Sequence, residues 1–192
     1  MAEDKKPEST AWTTLVALGT TILAVCAAFS SLKGGSYSTQ TQLATVNASN
    51  KWSHYQSKSI KESGARHEAA LANVLLANAA TPAGRDAASK AAVKGAAEAE
   101  RYGAEKAAIQ KEAESLEALA KYCQKRGANF GMAIMFLQIA IMLSAIATLL
   151  KKKRAWLLGM AFGLAGIGYL VYAWPAYEYF NGTVPVATVS AK

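Results

Sequence analysis

The chain has 192 residues, a formal net charge of +8 and 52% hydrophobic residues, yet its mean hydropathy is only +0.10, so the apolar residues are concentrated rather than spread. Two cysteines, Cys26 and Cys123, exclude a disulfide-built framework. The cations are dispersed along helices and around the ends of apolar runs, a pattern that suits anionic lipid headgroups and not nucleic acid.

Residues 1–10 form a mixed-charge tail, and 11–32, "AWTTLVALGTTILAVCAAFSSL", are the first of three windows free of ionisable residues. Each window approaches the roughly 20 residues that an α-helix needs to cross a hydrocarbon core. Val25 and Ala27 would suit a signal-peptidase site, but the acids of "MAEDKKPEST" and the length of the apolar run favour a span. Residues 33–128 are extramembrane, with two breaks: "KGGS" at 33–36 and "ATPAGRD" at 80–86, where Pro82 and Gly84 stop one helix and Asp86 is a first-turn acid for the next. The sequence between these breaks lacks Pro and is rich in Ala, which favours helix. It predicts a hairpin with arms of about 37–80 and 85–128, each on the order of 60 Å long. The descending arm leads into a second span at 129–150, with Gly127 as its one weak point, followed by a basic turn at 151–154 and a third span at 155–174. Residues 175–192 form the tail. The fold class is therefore all-α: three transmembrane helices with a long antiparallel, coiled-coil-like hairpin between the first two.

Orientation follows from Lys151, Lys152, Lys153 and Arg154, because short loops rich in Lys and Arg stay cytoplasmic while long loops cross largely regardless of charge. The N-terminus is then cytoplasmic, and the hairpin and C-terminus lie outside. Lys121, Lys125 and Arg126 weaken this bias without reversing it. Trp12, Trp156 and Trp174 stand near span ends, where aromatic anchors belong. Asn47 and Asn181 open glycosylation-type triplets on the outer side, a pattern with meaning only in a eukaryote.

Ala88, Gly95, Tyr102, Ile109, Leu116 and Cys123 recur every seven residues on the descending arm. Ala92, Ala99, Ala113 and Ala120 fill the complementary positions, with Lys106 as the exception. The repeat calls for a supercoiled partner. Glu98, Glu100, Glu105, Glu112, Glu114 and Glu117 read as a solvated face, Glu117 pairing with Lys121. Folding about residues 82–83 sets position i opposite roughly 165 − i on the other arm of an antiparallel pair. The run "KWSHYQSKSIKE" (51–62) then becomes packing surface: Trp52 faces Ala113 between Ile109 and Leu116, Tyr55 shares its side, Leu43 and Val46 meet Leu119 and Tyr122, and Tyr102 meets Ser63 and Gly64.

Catalytic chemistry finds no foothold. His54 and His67 are thirteen residues apart and lack metal-ligand spacing, Ser53, His54 and Glu62 have no pocket to share, and "LKGGSYS" lacks the phosphate-loop ending. No cofactor or metal is implied. The spans hold no charge, which counts against proton pumps, voltage sensors and ion-coupled carriers. Gln138 is polar glue between helices, and Gly159, Gly163 and Gly166 allow close helix contact.

The "WTTLVAL" opening and the "KWSHYQSKSIK" block, with the hairpin and the helix pair around "LLKKKRAW", resemble a bacterial inner-membrane family catalogued only as a domain of unknown function. The resemblance covers nearly the whole chain. It implies a bacterial membrane protein with this three-span layout, in which the orientation set by the basic turn makes the hairpin periplasmic, and it implies no activity. The expected function is that of a non-enzymatic scaffold or accessory subunit, associating with membrane lipids and with copies of itself or a larger complex through the hairpin and the spans. A small oligomeric channel, with Thr20, Thr21 and Gln138 along its path, is the alternative.

Overall fold

In the computed structural model, residues 8–174 are described, with side chains from Trp12 onward; the tail 175–192, including Asn181, and most of 1–10 lie outside them. Three helices follow in order: α1 (Glu8–Asn78), α2 (Pro82–Leu150) and α3 (Lys153–Ala173). They divide into two compact units. The first takes the chain to Thr41 and again from Lys121, and the second is Gln42–Ala120.

The "KGGS" break does not occur, because α1 runs through Gly34 and Gly35 as one helix. A glycine costs a helix about 1 kcal/mol relative to Ala, and packing outweighs that here. A Cβ on Gly34 would stand 3.3 Å from Phe130, while Tyr37 and Phe130 stack at 5.7 Å. Gly127 is likewise interior to α2 and packs against Tyr37 and Gly34.

The break at 80–86 is a turn, though Pro82 starts α2 rather than stopping α1. Proline is favoured in the first helical position, where its missing N–H is no loss. Thr81 Oγ1 accepts from Gly84 N at 3.2 Å, the usual N-cap geometry. Arg85 Nε closes the end of α1 by donating to Ala79 O at 3.1 Å. Asp86 lies beyond the first turn and pairs with Lys90 at 2.8 Å.

In the hairpin unit the seam is built from small residues. Ala44, Ala48, Ala65 and Ala72 of α1 and Ala92, Ala99, Ala113 and Ala120 of α2 are buried, with Ile109. The buried and half-buried positions of α1 keep a seven-residue count of their own: Tyr37, Ala44, Lys51, Lys58, Ala65 and Ala72, which Val16, Leu23 and Ser30 extend towards the N-terminus. Cross-arm pairs fall within about five positions of the 165 − i pairing expected of an antiparallel hairpin. Approach is closest at Gly95, whose Cβ would lie 3.0 Å from both Ala65 O and Ala69 N.

In the other unit, α3 lies against α1 and α2. Leu23, Leu137 and Ala140 form the core, with Cys26, Ala27, Ile141 and Ile167 around it. All three helices carry stretches long and apolar enough to cross a membrane, and few residues of those stretches are buried. Leu18, Val25, Met142, Leu157, Leu164 and Val171 face outward. So much outward apolar surface is foreign to a water-soluble monomer and fits a multi-pass membrane protein.

Gly95→Ala should lower the stability of the hairpin by about 1–2 kcal/mol, because overpacking against backbone exceeds the gain in helix propensity. Gly64→Ala, with open space around its Cβ, should raise it by about 1 kcal/mol. Thermal unfolding followed by helical circular dichroism on the two variants checks both signs.

Candidate functional site

Halfway along the hairpin the alanine seam gives way to large and charged residues. α1 offers Lys51, Tyr55, Lys58 and Glu62 at alternating spacings of four and three, which keep one helix face toward α2. Opposite stand Tyr102, Lys106, Ile109 and Ala113.

Glu62 is at the centre, 6% exposed. Lys106 Nζ lies 2.6 Å from Glu62 Oε2, and Arg66 Nη2 donates to Oε1, also at 2.6 Å. Gly103 faces the carboxylate, and a Cβ there would stand 3.7 Å from Oε1, an ordinary contact. The hydrogen bond from Lys106 holds the Glu62 carboxyl below the ordinary carboxylate range, partly offset by desolvation. The same bond raises the Lys106 ammonium above its usual value. On the side away from the turn Lys51 pairs with Glu112 and Lys58 with Glu105, two rungs seven residues apart. Glu105 is likewise held low, chiefly by the hydrogen bond from Lys58.

Aromatic rings line this ladder. Trp52 Nε1 donates to Glu117 Oε1 at 2.7 Å, and its ring meets Tyr55 edge-on at 5.4 Å. Lys106 lies over Tyr55, and Lys58 and Arg101 over Tyr102. The run 51–62 is a bridged seam rather than a pocket.

This geometry can fix register. A slide of one heptad would set Glu62 opposite Ala99 or Ala113 in place of Lys106, leaving the buried carboxylate only Arg66 of its own helix, an unfavourable arrangement. General acid–base chemistry has no free group here, because the Glu62 carboxylate is held by two cations. Ser53 Oγ donates to its own backbone at Ser49 O, and His54 and His67 are exposed. Among the described residues no three His, Cys, Asp or Glu side chains gather as metal ligands.

Several expected contacts are corrected. Leu43 and Val46 do not meet Leu119 and Tyr122; they face outward, and Ala44 and Ala48 take the seam. Tyr102 lies by Lys58 and Arg101, not by Ser63 and Gly64. Trp52, Tyr55 and Leu116 are half-buried at the seam edge. Glu105, Glu112 and Glu117 are bridges between arms rather than a solvated face, and Glu117 is bonded to Trp52 instead of Lys121. Glu62 was missed. Its signal was Lys106, the one cation in an alanine repeat, which demanded an acid across the hairpin.

In the other unit the glycines of α3 are used within the chain. Cβ atoms on Gly159, Gly163 and Gly166 would stand 3.1 Å from Ala140 O, 2.9 Å from Leu23 and 2.8 Å from Leu137. Arg126, 4% exposed, donates from Nη1 to Ala173 O at 3.1 Å and so satisfies a carbonyl at the C-terminus of α3, where a cation is favoured by the helix dipole. Phe29 stacks on Trp174 at the same end. Thr20 and Thr21 both donate to Ala17 O. Gln138 is exposed on α2. A groove of about 490 Å³ runs between α1 and α2, lined by Thr13, Thr20, Ser144, Thr148 and apolar neighbours. Lys151, Lys152, Lys153 and Arg154 are exposed in the turn between α2 and α3.

Compared with known proteins, residues 12–176 match the model of a family described as a domain of unknown function, DUF4337. No curated protein matches, and no solved structure matches.

The three shifted groups of the seam set a pH window. Glu62 and Glu105, lowered on folding, contribute stability above the unfolded carboxylate value of about 4.3, and it is lost as pH falls through their lower folded values. Lys106, raised on folding, contributes below about 10.4 and loses that contribution as pH rises through its higher folded value. Hairpin melting temperature should be flat between these limits and fall on both sides. Glu62→Gln should lower the plateau and shrink both limbs, which a pH series of melting curves on the variant measures.

Proposed function

The chain belongs to the DUF4337 family, and we propose that it is a non-enzymatic scaffold or accessory subunit of the bacterial inner membrane, assembling with copies of itself or with a larger membrane complex. The observation that carries this is an inverted hairpin, small inside and large outside. Leu43, Val46, Ile60, Leu71 and Val74 are 57–73% exposed on α1 while alanines fill the seam. From Gly34 to Asn50 that helix also carries no charge. Aliphatic side chains on a charge-depleted face are characteristic of surface that another protein covers.

The proposed orientation is N-terminus cytoplasmic, hairpin and C-terminus periplasmic. Its support is the four-cation turn at 151–154, and Arg126, one of the three opposing cations, is committed to Ala173 O.

Mild solubilisation from the native membrane, followed by native mass and composition, tests the assembly. The expected result is a homo-oligomer or a complex of fixed stoichiometry, and Val46→Glu with Ile60→Glu should dissociate it with helicity unchanged. A clean monomer would overturn the proposal. For orientation, His67→Cys in a Cys26→Ala, Cys123→Ala background should react with an impermeant maleimide in spheroplasts, and Arg154→Cys only after the membrane is opened. The reverse labelling would invert the topology.

A further inference from the structure

We infer that two copies of this chain pack in parallel through one face of α2, with the Gln138 side-chain amides paired across a two-fold axis. The inference rests on the assembly proposed above and names one of its contacts.

Gly131, Met135, Gln138, Met142, Ala145 and Leu149 are all exposed. They follow one another at alternating spacings of four and three, the spacing of a helix face that meets another helix at a shallow left-handed crossing. The face is distinct from the buried one, where Phe130, Leu137 and Ser144 keep their own seven-residue count. Met135, Met142 and Leu149 are 46%, 60% and 83% exposed. Methionines repack readily against a new neighbour, and Gly131 and Ala145 permit close approach. A Cβ at Gly131 would touch nothing within 4 Å, so the chain's own packing does not require a glycine there.

Gln138 selects the occupant. It lies near the middle of the uncharged run 129–150, and its amide makes no hydrogen bond among the described residues. The hydroxyls of Thr20, Thr21 and Thr148, by contrast, donate to carbonyls of their own helices. An amide facing hydrocarbon without partners is strongly disfavoured, and lipid tails offer neither donor nor acceptor. A second copy inserted in the same orientation brings its own Gln138 to the same depth. A carboxamide both donates and accepts, so two of them satisfy each other reciprocally, as a two-fold contact requires. The outward face of α3 is a contrast. Leu157, Leu158, Leu164 and Val171 are apolar, lipid suits them, and the α3 glycines are already occupied.

The test is cysteine cross-linking of the full chain in native membranes, with Cys26 and Cys123 replaced by Ala and copper-phenanthroline as oxidant. Met135→Cys and Met142→Cys should give a species of twice the chain mass, and Leu157→Cys and Leu164→Cys should not. Gln138→Leu should weaken association by roughly three- to thirty-fold, the range for one interhelical hydrogen bond in a membrane. Gln138→Asn should retain most of it. Cross-links from the α3 positions instead, products of any other mass, or unchanged association of Gln138→Leu would overturn the inference. An oligomer that persists without cross-links at 135 and 142 removes this contact and leaves assembly standing, whereas a monomeric wild type removes both.

Discussion

Close approach of α1 and α2 along a seam of alanine and glycine is the constraint on which the rest of the hairpin depends. Alanines at both faces of an antiparallel pair let the backbones come near enough for Gly95 to meet Ala65 O and Ala69 N. So small a seam buries little apolar area, and area is what stabilises a packed interior. Two consequences follow. Stability and alignment must be supplemented by polar bridges, and the large aliphatic side chains, having no room inside, stand on the outer face.

The bridges cluster in the middle of the hairpin. An alanine repeat is nearly degenerate, because a slide of seven residues exchanges one alanine for another. The exceptions, Lys106 on α2 and Glu62 on α1, remove that degeneracy, whereas the Lys51–Glu112 and Lys58–Glu105 rungs alone do not, since a slide of seven could re-form them as Lys51–Glu105 and Lys58–Glu98. A buried ion pair need not add net stability over apolar packing, but breaking it by misalignment takes from a buried carboxylate its partner on the other arm. Arg126 has an analogous role in the other unit. By binding Ala173 O it ties the end of α3 to α2 through a group that neither lipid nor an alanine face could replace.

Much of this was legible in the sequence, and the failures are informative. Helix content, the three apolar stretches and the turn near Pro82 follow from composition and from local punctuation. The pairing rule followed from the turn position alone. "KGGS" misled because glycine propensity is a local term, and contact with Phe130 is not local. The repeat of α1 was hidden because Lys51 and Lys58 occupy seam positions normally apolar. With that repeat unseen, Leu43 and Val46 were given the seam that belongs to Ala44 and Ala48. Bulk is a poor guide to burial when both helices favour small contacts. Gly159, Gly163 and Gly166 were recognisable as contact residues, but a sequence cannot distinguish a neighbour in the same chain from one in another.

The turn between α2 and α3 breaks several local rules at once. Lys151 has φ 53°, a conformation that costs a non-glycine residue about 1–2 kcal/mol. It stands at the position that glycine normally takes in such a helix ending, where Lys151 N bonds Thr148 O and Lys152 N bonds Ala147 O. Lys152 then precedes α3 without a side-chain cap. Lys153 and Arg154 put cations at a helix N-terminus, the end where the dipole favours anions. Of the four cations only Lys151 and Lys152, at the C-terminal end of α2, gain from a dipole, and none has a carboxylate partner among the described residues. Glycine, serine and aspartate would suit the backbone better. Violations concentrated at one site point to a demand from outside the fold. An anionic membrane surface supplies one, at about 1 kcal/mol for each nearby Lys or Arg. Four such residues outweigh the local costs, and positive charge retained at the expense of backbone ease is what an anchor at a membrane surface requires.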